Sequence, residues 1–125
     1  MDVKIQGLPR RLPGPIEMNL LRIAQEAVAN AVKHGKAQTV HIELEYASTF
    51  VCLTVIDDGR GFLASQDSPI GHFGLLDMRE RAQSMGTQLT LETEPGHGTL
   101  IMVRVPVDSS AANHAELKTN TYSGG

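Results

Sequence analysis

The sequence predicts an α/β (α+β) two-layer sandwich, a mixed and mainly antiparallel sheet with helices on one face. Three observations carry that expectation. Its 125 residues suit one domain that buries a core without staples. Two helical patterns, at residues 16–34 and 75–85, are interspersed with five strand patterns. Their order is strand, helix, strand, strand, loop, helix, strand, strand, with no internal repeat.

The elements follow in turn. Val3-Lys4-Ile5-Gln6 alternates as a short edge strand would. Pro9, Pro13, Gly14 and Pro15 make a loop, and Pro15 stands where a helix start tolerates proline. Over residues 16–34, Leu20, Ala24, Ala27, Val28 and Ala31 recur at three- and four-residue steps and form an apolar stripe. Gly35 is expected as its left-handed stop. Val40, Ile42, Leu44 and Tyr46 alternate with His41, Glu43 and Glu45, the pattern of a half-buried strand. Residues 50–56 form a second strand, more apolar on both faces. It holds the only cysteine, Cys52, expected to be a small core side chain. Asp57-Asp58-Gly59-Arg60-Gly61 ends that strand, and residues 62–71 read as irregular. The second helix, 75–85, stops at Gly86. Strands at 88–93 and 99–105 close the domain around Glu94-Pro95-Gly96-His97-Gly98. The domain is thus 1–107, and the polar stretch 108–125 is expected to be a disordered tail.

Composition narrows the function. A net charge of −3, without Lys/Arg clusters, argues against a nucleic-acid partner. No apolar run approaches the roughly 20 residues of a membrane helix, and no signal-peptide pattern opens the chain. The fragment is expected to be cytoplasmic without membrane contact of its own. An inner-membrane anchor could lie outside it.

Four tracts carry chemistry. Arg22, Glu26, Asn30 and Lys33 fall within about one ridge of the first helix, opposite the apolar stripe, with His34 beside them. A solvated face is the commoner fate of such residues. Asn is nevertheless a poor interior helix former, and carboxylate, amide and ammonium together suit a divalent cation and phosphates. Asp57-Asp58-Gly59-Arg60-Gly61 permits either a tight turn or a close approach to a flat ligand. It fits neither a Walker nor a Rossmann pattern. Gly71-His72-Phe73-Gly74-Leu75 leads into a helix whose first N–H groups can face an anion. Gly96-His97-Gly98-Thr99 reads alone as a hairpin turn.

In order and spacing these tracts resemble the nucleotide-binding fold shared by DNA gyrase, Hsp90, histidine kinases and MutL, the Bergerat fold. The segment 25–34, QEAVANAVKH, is similar to its N box; Asp57-x-Gly59-x-Gly61 to its first glycine box; 71–75 to the second; and Gly96-x-Gly98-Thr99 to the third. The resemblance spans roughly residues 3–106. The N box, and the tract HFGLLDMRERA at 72–82, resemble sensor histidine kinases paired with NarL/LuxR-type response regulators. The F box is missing, and Asp77 stands where that subfamily often has Gly.

The resemblance implies an ATP- and Mg²⁺-dependent protein histidine kinase domain of two-component signalling. Asp57 would accept from the adenine amine, with Gly59 and Gly61 letting the loop approach the base. Asn30 would be the metal ligand, and Glu26 would order a metal-bound water or the attacking group. Lys33 and His34 would neutralise phosphate. Gly71 and Gly74 would hinge a lid, Leu75 opens the helix that completes the cradle, and Thr99 would touch the base side. The phosphoacceptor would lie on a separate dimerisation domain of the same kinase, with the response regulator as an indirect partner. An anti-sigma-factor serine kinase and a nucleotide-gated ATPase clamp are the alternatives of the same fold.

Overall fold

The computed structural model describes residues 1–61 and 74–107. The expected loop at 62–71, residues 71–73 of the second glycine box and the tail at 108–125 lie outside the described residues, apart from Gly74 and Leu75 of that box.

The chain order is β1 (Asp2–Gly7), α1 (Gly14–Lys33), β2 (Val40–Tyr46), β3 (Phe50–Asp57), α2 (Leu75–Ser84), β4 (Leu89–Thr93) and β5 (Thr99–Pro106). The five strands form one sheet in the order β1-β2-β3-β5-β4. β1 runs parallel to β2 at the sheet edge, and every other pair is antiparallel. That is the mixed sheet expected. α1 lies over β2, β3 and β5, and α2 packs against α1 and β4.

Strand alternation explains which side the helices cover. Val51, Leu53 and Val55 of β3, with Ile101, Val103 and Val105 of β5, point into the buried layer. α1 supplies Leu20, Ile23, Ala27 and Ala31, and α2 supplies Leu75, Met78 and Ala82. Ile23, Met78, Val51, Val103 and Val105 are the largest fully buried side chains. Each contributes about 1.5–3 kcal/mol relative to exposure. Among the described residues no helix is long and apolar enough to cross a membrane.

Three expectations change. Cys52 is not a core side chain but is half-buried, since alternation sends it with Thr54 and Ile56 to the face away from the helices. Its partial burial still pushes the thiol pKa up. The left-handed residue after α1 is Lys36, with φ 53°, not Gly35. The helix ends instead with His34 and Gly35 N–H groups both donating to the Asn30 carbonyl, at 3.0 and 2.9 Å. Finally, the apolar stripe centres on Ile23, Ala27 and Ala31, while Ala24 and Val28 lie at its partly buried margin.

Candidate functional site

A pocket opens where the C-terminal half of α1 crosses the ends of β3 and β5. Ala27, Ala31, Val55, Leu75 and Ile101 give it an apolar floor, and Asn30, His34, Asp57 and Thr99 supply polar atoms at its walls. Gly35 and Gly61 complete the lining with backbone. An apolar slot with few convergent polar groups is the usual form of a small-molecule site.

Asp57 reaches the pocket because it ends β3 paired with Thr99, the first residue of β5. Its Oδ1 accepts the Gly59 N–H at 2.8 Å. Burial pushes its carboxyl above the usual range, and the neighbouring Asp58 charge adds to this; hydrogen bonds from the Gly59 and Thr99 backbones oppose it. The adjacent Asp58 has another task. It accepts the Gln38 and Thr39 N–H groups, each at 2.9 Å, and those bonds hold its carboxyl below the usual range. One aspartate faces the pocket, and the other ties the α1–β2 connection to the end of β3.

The glycines permit close backbone packing. Arg60 N–H donates to the Gly35 carbonyl at 2.8 Å, and a Cβ on Gly59 would stand 2.6 Å from that same oxygen. A Cβ on Gly61 would come within 2.8 Å of the Gly98 carbonyl and closer still to that of Glu94. Gly98 is buried with φ +76°, its missing side chain replaced by the Asp57 carbonyl. The first and third glycine boxes are therefore packed on each other. The Thr99 hydroxyl lies 2.9 Å from that of Thr93, which also donates to the Gly98 carbonyl at 3.1 Å.

Gly74 caps α2 in the left-handed conformation (φ 66°, ψ 16°), and a Cβ there would meet Glu26 Oε2 at 2.5 Å. The Glu26 carboxylate thus lies against the N-terminal end of α2, where the helix dipole favours an anion. Asp77 pairs with Arg81 one turn on, at 2.9 Å. Arg81 also donates to Asn19 of α1, at 2.9 Å.

The structure gathers Asn30, His34, Asp57, Gly61, Leu75 and Thr99 around one pocket, with Gly59 directly behind Asp57. Glu26 and Gly74 meet beside it. Lys33 is not brought in. It is exposed and lines a groove on the other flank of α1, because three residues at about 100° each stop about 60° short of a full turn from Asn30. The ridge from Arg22 to Lys33 is therefore not one functional face. Gly71 lies outside the described residues. Sequence reasoning missed Gly35 as the seat of the glycine loop and Asp58 as its tether. The Asp-Asp pair was the available signal, since Asp commonly bonds nearby backbone N–H groups.

The family described as "Histidine kinase-, DNA gyrase B-, and HSP90-like ATPase" matches residues 16–109. The chain is 36% identical over 107 residues to the signal transduction histidine-protein kinase/phosphatase DegS of Brevibacillus brevis, covering 86% of this chain and 28% of that protein. It is 37% identical over 100 residues to Bacillus subtilis DegS, covering 78% and 26%. The chain thus spans little more than a quarter of these relatives. Among solved structures, the ATP binding domain of PrrB from Mycobacterium tuberculosis superposes with a TM-score of 0.60 at 27% identity, covering 85% of this chain and 79% of that one. The chain belongs to the histidine kinase-, DNA gyrase B- and HSP90-like ATPase family, and its curated relatives named here are histidine kinases.

Proposed function

We propose that this chain is the Mg-ATP-binding catalytic unit of a sensor histidine kinase, donating the γ-phosphoryl group to a histidine on a separate dimerisation domain. The observation that carries the reading is the convergence of Asn30, Asp57 and Thr99, from three separate elements, on one apolar slot. The residues fit the ligand's chemistry. Asp57 offers a carboxylate to an exocyclic amine, and the apolar floor suits a purine ring. Among the described residues no cluster of three or more His, Cys, Asp or Glu could cage a metal ion. Mg²⁺ keeps several waters and needs only one or two protein oxygens plus phosphates, a part the Asn30 amide oxygen at the pocket wall would play.

Bound Mg-ATP would supply the transferable phosphoryl group and most of the charge to be neutralised. Asp57 would hold the base, and the Asn30 amide oxygen would hold the metal. His34, at the pocket wall, would neutralise phosphate charge, and Glu26, beside Gly74, would position a water or the incoming group. Gly74 would flank the triphosphate at the start of α2, the hinge partner expected at Gly71 lying outside the described residues, and Lys33 would contribute only long-range positive charge from the helix flank. Catalysis rests on positioning and electrostatics, which suffice for phosphoryl transfer. The acceptor domain belongs to the same kinase, and a NarL/LuxR-type response regulator receives the phosphoryl group in turn, a reading supported by the tract at 72–82.

The test is incubation with γ-labelled ATP, alone and with the kinase's own histidine-bearing domain. Acid-labile label is expected on that domain and none on this chain. Label on this chain alone, or none on the added domain, would refute the proposal.

A further inference from the structure

Behind the base pocket, the β4–β5 turn holds a pair of hydroxyls. Thr93 closes β4 and Thr99 opens β5, and the two are paired across the strands. Thr99 lines the nucleotide pocket and is the strand partner of Asp57, whereas Thr93 lies one strand farther out, behind Thr99. Thr93 Oγ1 stands 2.9 Å from Thr99 Oγ1 and 3.1 Å from the Gly98 carbonyl oxygen. A hydroxyl carries one proton, and a carbonyl oxygen only accepts. Both contacts are therefore hydrogen bonds in one order alone: Thr99 donates to Thr93, and Thr93 donates to Gly98. The carbonyl that ends this chain of bonds is held in place, because Gly98 is packed on the Asp57 carbonyl with φ +76°.

We propose that Thr93 is a positioning residue for base recognition. It turns the Thr99 hydroxyl so that lone pairs, not the proton, face the pocket, and the site thereby favours an amino purine over its oxo counterpart. The inference rests on the functional reading above and names a specificity determinant of that same site. With its proton directed to Thr93, Thr99 can only accept from a ligand. The Asp57 carboxylate beside it is likewise an acceptor when ionised. An exocyclic amine supplies donors to such an edge. An oxo purine turns a carbonyl oxygen to it, and acceptors that face each other in a part-buried site are left unsatisfied. Thr93 acts on the base only through Thr99. A cross-strand Thr–Thr pair also steadies a sheet, but that role is blind to which base is bound.

The test compares ADP with IDP, which carry an amine and an oxo group at the same place on the base. Competition calorimetry measures both on the 125-residue chain and on its Thr93→Val, Thr93→Ser and Thr93→Ala variants. Val is close to Thr in shape and suits a strand, but it lacks the hydroxyl. Thr93→Val should lower ADP affinity about fivefold and leave IDP affinity within about twofold, so that selectivity falls. Thr93→Ser keeps the hydroxyl and should keep wild-type selectivity. Thr93→Ala removes the same hydroxyl with a smaller side chain, and it decides the matter if the Val variant fails to fold. Equal loss of ADP and IDP affinity in a folded variant, unchanged selectivity, or selectivity lost in Thr93→Ser as well would overturn the proposal. So would a wild-type chain that binds ADP and IDP alike. A wild-type chain that binds neither would overturn the functional reading, and this inference with it.

Discussion

Replacing Asp57 by Asn tests the base pocket with little disturbance to the fold. Asn keeps a carbonyl oxygen to accept the Gly59 N–H now donated to Oδ1 at 2.8 Å, so the turn is retained. The other oxygen becomes an amine that faces the adenine amine, and two donors opposed in a buried site cost about 1–3 kcal/mol. ADP affinity should fall about 5- to 150-fold. The pH dependence has a defined sign. Burial raises the folded-state pKa of Asp57 above 3.8, so the native state holds its proton more tightly than the unfolded chain. Stability therefore declines as pH rises from 3.8 through the raised value, and the Asn variant lacks that slope. Protonation also removes the acceptor, so wild-type ADP affinity should fall on acidification with a midpoint above 3.8. Calorimetry with ADP across pH, alongside thermal unfolding, measures both effects. A folded variant whose ADP affinity stays within about twofold of wild type would refute the reasoning.

Other substitutions probe neighbouring parts. Asn30→Ala should leave α1 intact, Ala being the better helix former, and should abolish the magnesium-dependent share of ATP affinity in a magnesium titration. Gly98→Ala forces a side chain into the left-handed region, at about 1–2 kcal/mol, and against the Asp57 carbonyl; lower thermal stability and weaker ADP binding should appear together. Ile23→Ala empties a fully buried site and should cost about 2–5 kcal/mol by urea unfolding, while a change under about 1 kcal/mol would contradict the packing described.

Much of this fold is legible in the sequence because its signals are local. Alternation at 40–46 and 50–56, glycine punctuation, and spacing on the helices locate every element to within two residues. What local reading misplaces is set by tertiary geometry. Cys52 sits in an apolar run, yet among the described residues the helices cover one sheet face, so half that run is left outside the core. Asn30 and Lys33 are three residues apart on one ridge, but the angle at which α1 crosses β3 and β5 turns one toward the pocket and the other away. Gly35 shows no motif of its own; its role appears once Gly59 and Arg60 are folded against its carbonyl.

The most direct test of the account is to map Mg-ADP on the amide spectrum of the chain. Saturable shifts are expected at Asn30, Asp57, Gly59, Gly61 and Thr99, with the magnesium-dependent part centred on Asn30. Shifts centred on the uncovered face of the sheet around Cys52 and Ile56, or no saturable shift at all, would contradict it.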